Sequence, residues 1–381
     1  MDDAMLHDIA GRHRAGDFFP TELADFTLGP GQAVSPMLVL TQPGWSIYAL
    51  DLDLRQAVFT HLPPQIDLAD VPFAMLEQFA KADQILLVPF AALDALADAT
   101  PQPKELIFLF GIARCGSTLV SRILNEVPEV WSLSEPSLYF NLAMHRHILS
   151  RDDQRNLIRA CTRILFRPPA GAAPGAARSF AIKLQSQPLF QADIYHQAFP
   201  QAKFVFLYRD GASWAKSMSH FLQNIGVPMR LNTEARLLSW HYGACVTSTD
   251  GLERYYDVSA PDIAHAEHLA PVWALAMEEY LRQLANGVPF LALRYNEFDS
   301  DPATTTARLL DHCGLGAEHL AKALRALDRD SQAGTSIGRD KSIITFTAAD
   351  YAMFKTTLAR HPRTLSPDLL LPDIYDPHRA I

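Results

Sequence analysis

Residues Gly111-Ile-Ala-Arg-Cys-Gly-Ser-Thr118 place two glycines, one arginine and two hydroxyl side chains between an apolar run, Leu106–Phe110, and the segment Leu119-Val-Ser-Arg-Ile-Leu124. The order predicts a strand, a glycine-containing loop and a helix. That arrangement aims backbone N–H groups and the positive end of a helix at a phosphate. The spacing approaches the nucleotide-triphosphatase loop G-x-x-x-x-G-K-[ST]. Ser117, however, occupies the lysine position, and the cation of the loop is Arg114. The expected site is an anion cradle formed by the amides of Cys115, Gly116, Ser117 and Thr118, with hydroxyl bonds from Ser117 and Thr118 and charge from Arg114. It lacks the lysine that reaches the terminal phosphates of ATP or GTP. A tight strand-to-helix connection that uses glycine for geometry alone is the competing explanation.

A second cluster lies in Lys203-Phe-Val-Phe-Leu-Tyr-Arg-Asp-Gly-Ala-Ser-Trp-Ala-Lys-Ser217. An apolar strand ends on Arg209 and a helix begins near Gly211. Ser217 is eight positions on (217 − 209), about two helical turns, so it can face back toward the strand end. Arginine offers a planar fork to a second phosphate, and serine adds a neutral bond. The alternatives are a strand presenting Asp210 to magnesium, or a structural Arg–Asp pair.

The elements that must position these residues follow from hydropathy. Strands are expected at 106–111, 130–134, 180–184, 203–208 and 289–294. Helices are expected at 117–126, 137–149, 152–166, 188–198, 211–222, 234–247, 267–286 and 302–313. This alternation predicts an α/β fold, a P-loop-like parallel sheet flanked by helices, with ligands at the carboxyl ends of the strands. Residues 1–100 are expected to form a small N-terminal α+β appendage, joined through Ala99-Thr-Pro-Gln-Pro-Lys104 to an α/β domain spanning 101–381. Within the appendage, 37–40, 46–50 and 56–60 are expected as strands, 67–82 as a helix and 84–90 as a short edge strand. Gly29-Pro30-Gly31 is expected as a turn.

The net charge of −9 argues against a general nucleic-acid partner. The longest apolar passage, 85–97, falls short of the roughly 20 residues that span a bilayer. Four scattered cysteines, Cys115, Cys161, Cys245 and Cys313, form no C-x-x-C pair, and the start Met-Asp-Asp has no basic, then apolar leader. A soluble cytoplasmic protein without a membrane partner is expected.

Gly111–Leu119 resembles the 5′-phosphosulfate loop of the sulfotransferases, often P-R-S-G-[ST]-T/L in the Golgi and bacterial branches. Arg209 and Ser217 resemble the family's 3′-phosphate motif. Leu293-Arg-Tyr-Asn-Glu-Phe-Asp-Ser-Asp-Pro302, followed by Leu309-Leu-Asp-His-Cys-Gly-Leu315, is similar to its R-Y-E-D-L…D-P…L…F-L-G-L segment. The resemblance spans about 105–340 and leaves the first hundred residues unmatched.

It implies 3′-phosphoadenosine 5′-phosphosulfate as co-substrate, no metal, and sulfonate transfer to a hydroxyl or amine of a small-molecule, carbohydrate or peptide acceptor. Glu135, after the strand Val130–Ser134, matches the glutamate base of the bacterial and tyrosyl-protein branches; capping the next helix is its other reading. Lys183, in Ala181-Ile-Lys-Leu-Gln185, matches the lysine of the K-T-H strand end in cytosolic members, but Gln185 stands where their histidine would be. The resemblance thus makes Glu135, Lys183 and Arg114 the catalytic candidates. In 330–341, Arg339 and Lys341 fall where the family closes a basic loop on the 3′-phosphate. A P-loop kinase and a non-catalytic nucleotide-binding module remain as alternatives. Acceptor contacts are expected from about Asp250 to His268 and from the appendage, which is equally a candidate homodimer surface.

Overall fold

The computed structural model describes residues 3–69, 71–166, 179–244, 251–329, 346–361, 363 and 365–373. Strands β1 (Ala4–Arg12), β2 (Phe26–Val34), β3 (Trp45–Asp51), β4 (Gln56–His61) and β5 (Gln84–Pro89) form an antiparallel sheet ordered β2-β1-β5-β4-β3. Strand β5 is therefore central, not the short edge strand expected over 84–90. Proline cannot donate to a ladder, but Pro89 is the last residue of its strand, where the loss is small. Met37–Leu40 is not a strand either: Leu38–Thr41 is a helical turn, and so short an apolar run does not discriminate between the two. Gly29-Pro30-Gly31 lies inside β2, where the β1 register shifts as at a bulge. The expected 67–82 helix begins at Ala74.

The second sheet has five strands: β6 (Glu105–Gly111), β7 (Val130–Ser134), β8 (Ser179–Lys183), β9 (Lys203–Tyr208) and, after the short strands β10 (Arg230–Asn232) and β11 (Asp262–Ala264), β12 (Phe290–Arg294). Its order is β12-β9-β6-β8-β7, with β12–β9 and β7–β8 in parallel register. Helices Ser117–Asn125, Gly211–Asn224, His265–Ala285 and Pro302–His312 match the sequence periods closely. The chain is thus an α/β protein with a helix-flanked parallel sheet and an amino-terminal antiparallel sheet. Ile107, Phe108, Leu109 and Phe110 of β6 are wholly buried, as a strand covered on both faces requires.

Compactness groups the residues into two units. One contains 1–108, 124–188 and 194–202; the other contains 109–123, 189–193 and 203–381. Within the first unit, hydrogen bonds tie the amino-terminal hundred residues to 125–141. The Asn141 amide nitrogen donates to Thr21 O (2.9 Å), and its Oδ1 accepts from the Leu50 amide (3.2 Å). Ser134 Oγ donates to Pro72 O (2.6 Å), Asn125 Nδ2 to Ala69 O (2.7 Å), and the Thr21 amide to Ser137 Oγ (3.4 Å).

Within the second unit, residues 365–373 form a strap. Asp373 Oδ1 accepts the Ala292 amide of edge strand β12 (2.8 Å), and Pro367 O accepts the Gly211 amide (2.7 Å). The Leu371 amide donates to the Tyr208 hydroxyl (3.2 Å).

Candidate active site

The loop after β6 is shaped by close approach. A Cβ on Gly111 would lie 2.6 Å from Leu207 O and 2.9 Å from Cys115 Sγ. One on Gly116, whose φ is +86°, would overlap the Tyr295 ring. Both positions therefore demand glycine. Arg114 lies between them with φ +64°, a left-handed conformation that an arginine adopts only when its surroundings impose it. Two contacts do so: the Ile112 amide donates to Leu207 O (3.3 Å), and the Trp214 indole donates to Ala113 O (2.8 Å). Ser117 opens the helix, and Cys115 and Thr118 are buried.

Arg114 Nε donates to Ser217 Oγ at 3.4 Å, with the guanidinium 5.8 Å from the Phe221 ring centre. The two elements read separately from the sequence, loop arginine and helix serine, thus meet in one compact unit. Next to Phe221, burial first, then the positive charges of Arg114 and Lys216, hold His220 below its ordinary value. The local field is cationic, and an anion would relieve it.

Arg209 leaves β9 where the parallel register Tyr208↔Arg294 ends. Its neighbour in that register is Tyr295, and the Arg209 guanidinium lies 4.6 Å over the Tyr295 ring. Its Nε donates to Ser213 Oγ at 3.0 Å, so its hydrogen-bond partner is Ser213, not Ser217. The Arg209 carbonyl accepts from the Trp273 indole (3.1 Å). Asp210 caps the helix Gly211–Asn224, accepting the Ser213 amide (2.8 Å) and the Ser213 hydroxyl. Burial pushes its carboxyl up, but bonds from the Ser213 side chain and amide and from Asn296, with the charge of Arg294, hold it below the usual range.

In the other unit, β7 and β8 pair in register Ser134↔Lys183. Glu135 follows at once, its amide donating to Lys183 O (2.8 Å). Its φ is +54°, so the backbone turns left-handed, and the carboxylate forms an ion pair with Lys183. The Lys183 side chain is only 2% exposed and that of Glu135 15%. Among the described residues, three non-glycines have positive φ, and Arg114 and Glu135 are two of them. Arg339 and Lys341 lie outside the described residues.

Sequence reasoning missed four residues here. Ser213 was legible as the fourth residue of an Asp-x-x-Ser cap. Tyr295 lies inside the Leu293–Pro302 segment, where no local pattern marks its contacts with Gly116 and Arg209. Trp214 is buried, and its indole also holds the loop through Ala113 O. Phe73 carried no sequence signal, and its ring centre is 5.2 Å from Lys183 Nζ.

Residues 171–319 match the model described as the sulfotransferase family. The match includes Lys183, Arg209, Ser217 and Tyr295 and stops short of the 111–118 loop. No curated protein matches. Similar solved structures include sulfotransferase STF1 from Mycobacterium tuberculosis H37Rv, at 16% identity over 69% of this chain and 81% of that one, TM-score 0.42. A sulfotransferase from Alicyclobacillus acidocaldarius is 17% identical over 68% and 97%, TM-score 0.36. Mouse sulfotransferase SULT7A1, crystallised with PAP, is 15% identical over 71% and 88%, TM-score 0.36.

Proposed function

We propose that this chain, a transferase that carries the sulfotransferase-family segment 171–319, moves a sulfonate group from 3′-phosphoadenosine 5′-phosphosulfate to a hydroxyl or amine acceptor. The observation that carries the reading is the approach of Arg114 to Ser217. A glycine-bounded loop without a Walker lysine is joined there to the helix that follows Arg209. In this reading the loop amides of Cys115, Gly116, Ser117 and Thr118, with Arg114, take the 5′-phosphosulfate. Arg209 and Ser217 take the 3′-phosphate, with Arg339 and Lys341 as further contributors.

Glu135 accepts the acceptor's proton while its oxygen or nitrogen forms the new bond to sulfur. The bond from sulfur to the bridging phosphate oxygen breaks, and adenosine 3′,5′-bisphosphate leaves with the electron pair. Protonation of Glu135 cancels its charge, which frees the Lys183 ammonium to stabilise the charge growing on the leaving phosphate. Arg114 acts on the same charge from the loop. Ser117 in the Walker position weighs against a kinase.

The acceptor is a small molecule, carbohydrate or peptide and the setting is the cytoplasm. Residues 101–381 are the sulfotransferase-like portion, and residues 1–100 are an appendage suited to contacting the acceptor or to pairing two copies. No helix of the described residues is long and apolar enough to cross a membrane.

Calorimetry tests the donor. Adenosine 3′,5′-bisphosphate should bind more tightly than ATP; equal affinities would sink the reading. Arg209→Ala should weaken that bisphosphate by about ten- to a hundredfold, one charged hydrogen bond, while leaving 5′-AMP nearly unaffected. A labelled-sulfonate screen across carbohydrate, lipid, phenol and peptide acceptors identifies the second substrate.

A further inference from the structure

The amino-terminal hundred residues lie outside the sequence resemblance and the matched family segment, yet they reach the ion pair. Lys183 carries its charge on an almost fully buried side chain, and an ammonium in such a place needs more than one compensating group. Glu135 supplies the carboxylate. On another side is the face of Phe73, whose ring centre is 5.2 Å from Nζ, and the negative face of an aromatic ring attracts a cation. Phe73 is itself fixed. It is 5% exposed, and Phe18 packs against it in a T-shaped pair, ring centres 5.5 Å apart and planes at 84°. Pro72 is bonded through its carbonyl to Ser134 Oγ, one residue before Glu135. Three residues after Pro72, Met75 Sδ is 3.9 Å from the Gln185 amide nitrogen. The segment 72–75 therefore touches 134, 183 and 185, the strand ends that carry the pair.

We infer that Phe73 is a positioning residue for the Lys183–Glu135 pair. The appendage thereby supplies part of the reaction centre: it excludes water from the ammonium and holds it against the carboxylate. The catalytic meaning of the contact rests on the proposed sulfonate transfer, but the contact can be tested without turnover. The test is competitive acylation of the Lys183 amine by acetic anhydride, quantified by mass spectrometry of the digested protein. Phe73→Leu keeps an apolar filler but removes the aromatic face. It should raise the Lys183 labelling rate about fivefold to tenfold, the equivalent of one cation–π contact of about 1 kcal/mol. Phe73→Tyr and Phe73→Trp should return it to the wild-type rate.

Phe59→Leu, in the core of the antiparallel sheet, should leave Lys183 protected although it also costs stability. Wild-type labelling in Phe73→Leu would overturn the inference, as would equal deprotection by Phe59→Leu. Affinity for adenosine 3′,5′-bisphosphate should be unchanged in Phe73→Leu. Failure of the wild-type protein to prefer that nucleotide would count against the proposed reaction and leave the labelling result standing.

Discussion

At the scale of single residues, the buried ion pair makes a prediction that complicates the obvious test of the base. Glu135→Gln removes a carboxylate and leaves the Lys183 charge enclosed. Breaking a buried pair in this way costs about 3–5 kcal/mol, a large share of a domain's net stability of roughly 5–15 kcal/mol. Thermal melting should therefore drop sharply in Glu135→Gln, and turnover must be corrected for the folded fraction. The double variant Glu135→Gln/Lys183→Met should recover much of the loss, because an apolar chain replaces the stranded charge. A double variant no more stable than Glu135→Gln would show that the pair is not the source of the cost. Bisphosphate affinity should survive in Glu135→Gln while corrected turnover collapses, and normal corrected turnover would remove Glu135 as the base.

At the scale of elements, parallel register explains why the right side chains meet. Tyr208↔Arg294 brings Arg209 onto Tyr295, and Ser134↔Lys183 brings Glu135 onto Lys183. Tyr295 also fills the space beside Gly116, so the loop and the end of β9 are mechanically joined through one ring. Gly116→Ala should cost about 2–4 kcal/mol, from left-handed strain and overlap together, and Tyr295→Ala should rescue part of it. Additive losses in the double variant would contradict that coupling. The Asp210 cap should contribute about 1 kcal/mol to the helix that carries Ser213 and Ser217. Its folded pKa is lowered, so the contribution is complete at neutral pH and fades as pH falls below about 4. Denaturant melts of Asp210→Ala against wild type should converge there.

Much of this scale was legible in the sequence. Strand and helix periods located β6 to β9 and β12 within a residue or so, and the glycine and arginine positions marked the loop. What was illegible depends on partners far along the chain. The central place of β5, the ring between Gly116 and Arg209, and the contact of Phe73 with Lys183 leave no local pattern of apolar spacing or turn residues.

At the scale of the whole molecule, residues 99–104 join the helix Phe90–Asp98 to β6. They do not mark where the contacts end. The hydrogen bonds of Thr21, Leu50, Ala69 and Pro72 bind the first hundred residues to 125–141 within one unit. Deleting 1–100 would forfeit these bonds at about 0.5–1.5 kcal/mol each, together a large share of total stability. A 101–381 fragment should therefore be insoluble or bind hydrophobic dye; a cooperative, soluble melt from it would refute this.

The strap at 365–373 has a further consequence, for synthesis. Its Asp373 seals the outer amide of β12, 81 residues behind it in the chain (373 − 292). At ribosomal speeds of about 5–20 residues per second, that edge emerges roughly 4–16 s before its cover. Through that interval the nascent protein offers a bare β-edge to its neighbours, and holdase binding to polysomes should be greatest there.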